Sequence, residues 1–297
     1  MRQGANAPAP NGSGRPGNPL FSLGILNPFC LGGIPMKKLF SLILVLVLSL
    51  SAAAALADVK TVNVGTEGVY SPFTFVDESG KLTGYDVEVI RLVDELLPDY
   101  EFNFVQTAWD GIFLALDAGK IDMIANNLGK NPEREEKYLF NEVPYLYNYN
   151  TVVTAADVTD IKSLEDFAGK RIGSSVGSNY TNILEKYTAE HGNPFEITYY
   201  DGNYSFVLQD LVAGRLDATF NSPFATADIA KTLGITDKIK AAGVVGDADP
   251  IHLLFRKDGA ELAAAMDGAL KQLVESGKLA ELSVQWFGED YSAPAKG

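Results

Sequence analysis

The sequence predicts an α/β protein of two similar lobes, each a mostly parallel sheet flanked by helices, with two strands crossing between them. The first observation is an alternation of strand and helix signals from Thr61 to Asp122, the order in which crossover helices join parallel strands. The second is a near repeat. Ala118-Gly119-Lys120-Ile121-Asp122-Met123-Ile124-Ala125-Asn126 is echoed by Ala213-Gly214-Arg215-Leu216-Asp217-Ala218-Thr219-Phe220-Asn221. Each copy follows a helical stretch, passes a Gly-basic turn and runs an apolar strand out to an asparagine. Ligands in open α/β sheets bind beyond the carboxyl ends of strands, so two such ends facing each other make a cleft. The third is a pair of extended stretches, Tyr145 to Val153 and residues 246–256, that suit one crossing out and one back. They put lobe 1 at residues 58–147 and 248–297 and lobe 2 at residues 148–247, and such a strand pair can act as a hinge.

Taken in order, Thr61-Val62-Asn63-Val64-Gly65 alternates as a strand, and Gly68 to Phe73 is a loop with two aromatics. Phe73 to Val76 resumes strand character before the turn Asp77-Glu78-Ser79-Gly80. Tyr85, Val89, Val93 and Leu96 mark a helix that Pro98 ends. Phe102 and Phe104 alternate in a strand, and Trp109, Ile112, Phe113 and Leu116 mark a helix closed by Gly119. In lobe 2, Ser163 is expected to cap a short helix with Asp166 at the capping-box position. Gly169 to Gly173 leads a strand into Gly177-Ser178-Asn179-Tyr180, and a helix follows through Ile183, Leu184 and Tyr187. A further helix spans Ala225 to Leu233 and a strand Lys240 to Val245. Leu262, Met266, Leu270 and Leu273 form a core stripe, Gly277 breaks it, and Leu279 to Trp286 follows.

The stretch Asn126 to Arg134 carries the main chemical signal. Asn131 suits an N-cap, Pro132 the first helical position, and Glu133, Glu135 and Glu136 the first turn. Arg134 is out of place there, because a cation at a helix N-terminus opposes the macrodipole. An anion between the guanidinium and the free amides removes the conflict, and a ligand carboxylate is the expected anion. The alternative is a surface pairing of Arg134 with Glu135 or Glu136. Gly177-Ser178-Asn179 is a second place where small residues leave amides reachable at a helix start.

The ends narrow the setting. Met36-Lys37-Lys38, the apolar run Leu39 to Leu50 and Ala55-Leu56-Ala57 read as a signal peptide at residues 36–57, cut after Ala57. Residues 1–35 are expected not to belong to the natural protein. Cys30 lies there, so residues 58–297 contain no cysteine for disulfides, thiolate metal sites or nucleophilic catalysis. Arg2, Arg15, Lys37 and Lys38 also precede residue 58, whereas all 38 acids follow residue 57. The net charge therefore goes from −14 for the chain to −18 for the 240 residues after the cut, with 20 basic residues left. Such a surface repels nucleic acid and anionic lipid. The expected setting is the periplasm.

Catalytic chemistry is sparse. His191 and His252 have no acid or nucleophile close in sequence, and no nucleophile elbow, P-loop, dinucleotide fingerprint or zinc-protease motif is present. The reading is a non-enzyme with no cofactor and no metal.

Several segments together resemble the periplasmic solute-binding proteins of ABC-type polar amino-acid transporters, from Thr61 to Asp290. They are Val64-Gly65-Thr66-Glu67-Gly68-Val69-Tyr70-Ser71-Pro72-Phe73, Gly80-Lys81-Leu82-Thr83-Gly84-Tyr85-Asp86-Val87, Trp109-Asp110-Gly111-Ile112, Gly119-Lys120-Ile121-Asp122, Asn131-Pro132-Glu133-Arg134, Gly214-Arg215-Leu216-Asp217 and Trp286-Phe287-Gly288. The resemblance implies a hinged periplasmic-binding-protein fold, a monomer that closes on one amino acid and delivers it to a membrane ABC permease. It implies that Arg134 clamps the ligand α-carboxylate, that Ser178 and Asn179 add donors from lobe 2, and that Tyr70 and Trp109 sandwich the ligand side chain. Glu67 matches a polar side-chain contact. The family usually has small hydroxyl residues where this chain has Asn126, Asn127 and Gly129, and an ammonium-pairing acid where it has Ser222. Specificity is expected at those positions. Relatives that bind cystine have a similar Asn-rich segment, which makes cystine the first candidate ligand. The same scaffold also resembles cyclohexadienyl dehydratases, a reading that needs a general acid or base in the cleft. A sensor input domain is the third reading.

Overall fold

A computed structural model describes residues 59–294. The expected signal peptide, its cleavage site after Ala57, and Cys30 lie outside the described residues. The chain opens with strand β1 (Lys60–Thr66) and a small antiparallel sheet of β2 (Val69–Tyr70), β3 (Thr74–Val76) and β4 (Leu82–Thr83). Helix α1 (Tyr85–Asp94), β5 (Tyr100–Gln106), α2 (Trp109–Asp117), β6 (Met123–Gly129), the short α3 (Pro132–Lys137), β7 (Leu139–Phe140) and β8 (Leu146–Asn148) follow. The second lobe contains β9 (Thr151–Ala155), a 3-10 turn at Glu165–Phe167, β10 (Arg171–Ser175), α4 (Asn179–Glu190) and β11 (Glu196–Tyr200). It continues through α5 (Tyr204–Val212), β12 (Ala218–Asn221), α6 (Pro223–Thr232) and β13 (Ile239–Val244). The chain then returns through β14 (Asp249–Phe255) and ends on α7 (Ala260–Glu275) and α8 (Lys278–Phe287).

Both lobes share one sheet plan. The first sheet has the order β5-β1-β6-β14-β7 with β8 also paired to β14, and the second has the order β11-β10-β12-β9-β13. In each, the first three strands are parallel and the next runs against them. The sheets are therefore mixed, not mostly parallel as the sequence suggested. The reason is the crossing: parallel strands end at the cleft, so a strand that enters from the cleft must run the other way. β9 and β14 are those entering strands. Sheet membership changes at Tyr149–Asn150 and again between Val244 and Asp249, and Val245 N–H donates to the Asn150 carbonyl at 2.8 Å where the crossings meet.

The near repeat has a physical cause in both lobes. Gly119 and Gly214 take φ of 67° and 70°, a conformation that costs a side-chain-bearing residue about 1–2 kcal/mol. Asp122 then accepts from Asn63 N–H at 2.8 Å, and Asp217 accepts from Arg171 N–H at 2.8 Å. Each aspartate fixes the level of the strand that follows against its parallel neighbour. As a result β6 and β12 reach the cleft in equivalent positions of their sheets. β6 runs three residues past the expected end at Asn126, because β14 lies beside it and pairs Ile251 with Gly129 and His252 with Leu128.

Helix signals fall close to the elements they mark. α1 buries Tyr85, Val89 and Val93, and α7 buries Met266, Leu270 and Leu273 against it, with Leu279 of α8 closing the same core. Gly277 breaks α7 from α8 in a left-handed conformation (φ 77°). Ser163 does not cap: Asp166 instead accepts from Lys162 N–H, Ser163 N–H and the Ser163 hydroxyl, and only a 3-10 turn forms. His252 is buried beside Phe140, and burial pushes its imidazole down to about 4, so it is neutral. His191 stacks on Tyr187. Among the described residues no helix is long and apolar enough to cross a membrane.

Gly84 holds α1 against the β2–β3 hairpin. Its φ is 122°, and a Cβ there would sit 2.3 Å from the Phe73 carbonyl oxygen, backbone against backbone. Gly80 has φ 82° but open space around it. Gly84→Ala is expected to lose roughly 2–4 kcal/mol in urea unfolding, and Gly80→Ala only about 1 kcal/mol. Equal losses would mean that strain alone, not the close backbone approach, sets the cost.

Candidate functional site

The strand ends of the two lobes line a common cavity. Arg134 forms one wall. Asn131 caps α3 by accepting from Arg134 N–H at 2.9 Å, and this cap with Pro132 turns the chain so that the arginine side chain runs inward. The residue is 6% exposed, and its guanidinium lies over the rings of Trp109 and Phe113 at 5.8 and 5.3 Å. Nη1 donates to the Gly129 carbonyl and Nη2 to the Gly177 carbonyl, each at 2.9 Å. Among the described residues no carboxylate comes within 4.0 Å of it, while Glu133 pairs with Lys137 at 3.0 Å. The surface pairing with Glu135 or Glu136 is thereby excluded. Burial lowers the guanidinium to about 10, which still leaves it charged at neutral pH.

Glu67 and Asn126 form a reciprocal pair at another wall. Asn126 Oδ1 accepts from Glu67 N–H at 2.9 Å and its Nδ2 donates to Glu67 Oε2 at 2.6 Å. Burial pushes the Glu67 carboxyl up to about 7, with the Asn126 amide acting against it. Asn127 takes φ 51°, and its N–H donates to a carboxylate oxygen of Asp86, a fully buried residue of α1. Burial also raises that carboxyl to about 7. Asn127 Oδ1 is buried with no partner among the described residues.

The lobes meet through polar contacts around the cavity. Tyr70 donates its hydroxyl to Asn221 Oδ1 at 2.7 Å, Trp109 Nε1 donates to the Val176 carbonyl at 2.7 Å, and Asn131 Nδ2 donates to Asn179 Oδ1 at 3.3 Å. Ser71 bonds Asp228 across the same seam. Two glycines let the surfaces approach. A Cβ on Gly202 would lie 2.9 Å from Trp109 Cβ, and one on Gly129 would lie 3.1 Å from Asn179 Nδ2. This is a closed arrangement.

Nine of the ten residues singled out from sequence line the cavity. Ser178 does so while its hydroxyl accepts from Thr181 N–H at 3.1 Å as the cap of α4. Ser222 is the exception. It is 0% exposed and its hydroxyl donates to Asn148 Oδ1 at 2.8 Å, so it does not face Asn126 and Asn127 as expected. The preceding residue, Asn221, turns toward the cleft instead. Sequence reasoning also missed Asn148, Asn150, Tyr180, Gly202 and Asp249. The polar residues of both crossings were a usable signal, because hinge strands necessarily border the cleft. Gly202 had none.

Two α/β lobes joined by a double crossing, with a polar cavity at their strand ends, make a periplasmic-binding-protein fold. Residues 62–289 match the family profile of bacterial extracellular solute-binding proteins, family 3, and the chain belongs to that family. It is 36% identical over 234 residues to the L-cystine-binding protein TcyK of Bacillus subtilis (strain 168), covering 79% of this chain and 86% of that protein. Among solved structures, a putative L-cystine ABC transporter protein from Listeria monocytogenes is 38% identical with a TM-score of 0.73, over 79% of this chain and 99% of that one. The L-cystine solute receptor of Neisseria gonorrhoeae, unliganded and open, is 33% identical with a TM-score of 0.54, over 80% of this chain and 96% of that one. The lower score against an open relative accords with the closed lobes here.

Glu67 gives a pH signature. Its folded carboxyl titrates at about 7 against an ordinary value of 4.5, so the folded chain binds more protons than the unfolded one between those values. Stability of the ligand-free protein should therefore fall as pH rises from 4.5 to 7 and level off above. Asp86 contributes in the same direction from 3.8 upward. Glu67→Gln is expected to gain on the wild type across that window by on the order of 1–3 kcal/mol, read from urea unfolding at about pH 5 and about pH 8. A constant difference at both pH values would show that Glu67 is not held in the raised state.

Proposed function

We propose that this protein captures a polar amino acid between its lobes in the periplasm and delivers it to an ABC permease, with L-cystine the first candidate ligand. The observation that carries the reading is Arg134: a buried guanidinium with no protein carboxylate among the described residues, at the wall of an interlobe cavity. A buried cation costs several kcal/mol unless paired, and a ligand carboxylate supplies the pair in bidentate geometry. Arg134 also donates to Gly177 of lobe 2, so the clamp is complete only when the lobes are together. Tyr70 and Trp109 offer ring faces and Glu67 an acceptor for the rest of the ligand.

The relatives named for cystine binding support the choice of ligand, as does the Asn126-Asn127 pair in place of acids that a basic side chain would want. The dehydratase reading would use Glu67 as acid or base. Its hold by Asn126 suits a fixed acceptor, and no turnover of prephenate or arogenate is expected. Residues 36–57 are read as the signal peptide that directs export, and the protein as acting singly.

A thermal-shift screen of the mature protein tests this. L-Cystine at 100 times its dissociation constant should add about 2.7 kcal/mol of stability. Arg134→Ala should abolish the response, and Glu133→Ala, whose carboxylate faces Lys137 outside, should keep it. The ligand should also reduce the radius of gyration in solution scattering. No shift with L-cystine or any other amino acid would sink the receptor reading.

A further inference from the structure

Charge in the cleft does not balance within the protein. Arg134 has no acid partner, and two carboxylates that line the cavity, Glu67 and Asp249, have no cation partner among the described residues. A zwitterion places one carboxylate on Arg134 and needs an acceptor for its ammonium one carbon away. Ser222 does not line the cavity; it is buried with its hydroxyl turned to Asn148.

Asp249 lines the same cavity as Arg134. It opens β14, and the antiparallel register sets Ile251 beside Gly129, whose carbonyl holds Arg134 Nη1. Asp249 is two residues further along on the same face as Ile251, roughly 7 Å away. It is half-buried, and it pairs in register with Asn148. Only its Oδ2 is used, accepting from Asn150 Nδ2 at 2.9 Å, and among the described residues Oδ1 accepts no hydrogen bond. Glu67 lies at the other end, beside Asn126, three residues or roughly 10 Å from Gly129 along β6. It is placed for a distant group of the ligand, not for the α-carbon.

We propose that Asp249 is the acceptor for the ligand α-ammonium group, so that the cleft separates α-amino acids from the matching carboxylic acids through its hinge strand. This rests on the amino-acid reading above. Because Asn150 belongs to one crossing and Asp249 to the start of the returning strand, the ammonium would bind at the hinge itself.

The test compares L-cystine with 3,3′-dithiodipropionate, the same molecule without ammonium groups, by calorimetry on wild type and Asp249→Asn. An asparagine keeps the acceptor for Asn150, so the ligand-free unfolding midpoint should stay near wild type. The substitution should weaken L-cystine roughly 10- to 100-fold, the loss of one charge-assisted hydrogen bond, while binding of the diacid is unchanged or improved. Asp249→Glu, which keeps the charge, should lose less. Equal weakening of both compounds would mean that the residue only shapes the hinge, and unchanged L-cystine affinity would mean the ammonium goes elsewhere. Either result overturns the assignment while leaving the receptor reading intact. A wild type that binds neither L-cystine nor any other amino acid would overturn both.

Discussion

The closed structure depends on how one buried cation is accommodated. Arg134 lies against two neighbouring aromatic rings, Trp109 and Phe113, and gives one hydrogen bond to a carbonyl of each lobe, Gly129 and Gly177. Neutral carbonyls offset only part of the desolvation of a guanidinium, which amounts to several kcal/mol. On the proposed reading, the remaining compensation comes from the anionic group of a solute that enters the cavity. When the lobes part, the Gly177 bond is lost and water reaches the side chain. Closure and anion binding therefore favour each other, because the solute interacts more strongly with the closed state than with the open one. No separate switch is required.

The rest of the molecule serves to bring that cation and its surroundings into register. Asp122 and Asp217 fix equivalent strands in the two sheets, so β6 and β12 present Asn126 and Asn221 at matching strand positions. Tyr70 of lobe 1 bridges the lobes by donating to Asn221. Gly202 and Gly129 leave room for Trp109 and Asn179, each on the opposite lobe. A methyl group at either place would hold the surfaces apart by a few tenths of an ångström or more. Hydrogen bonds near 3 Å do not survive much additional separation.

Much of this could be read from residues alone, for identifiable reasons. The lobes, the repeat and the cap at Asn131 were legible because each rests on local rules: periodicity, positive φ at glycine, and an asparagine acceptor beside proline. Arg134 was legible because its charge conflicts with its position. The mixed sheets were not, since strand direction after a crossing depends on where the chain re-enters. Ser222 misled because a one-residue difference at a strand end decides which side chain faces the cavity, and Asn221 took that place. Asp249 and Gly202 were invisible because their neighbours lie far away in sequence.

On the proposed reading Arg134 clamps a carboxylate, and that alone cannot choose among amino acids, since all of them carry one. Discrimination has to arise where the side chain ends, and there the structure holds Glu67 in one orientation by two reciprocal bonds to Asn126. Asn126 is in turn fixed by its place in β6, so the acceptor cannot swing to suit different ligands. Glu67 Oε1 is left to face the seam near Gly202, 3.6 Å from where a Cβ on that glycine would lie. A ligand short of this end leaves a buried carboxyl without a partner, and one that reaches it with an ammonium or amide hydrogen gains a charge-assisted bond. On the proposed reading, length and a distal donor are thus selected together.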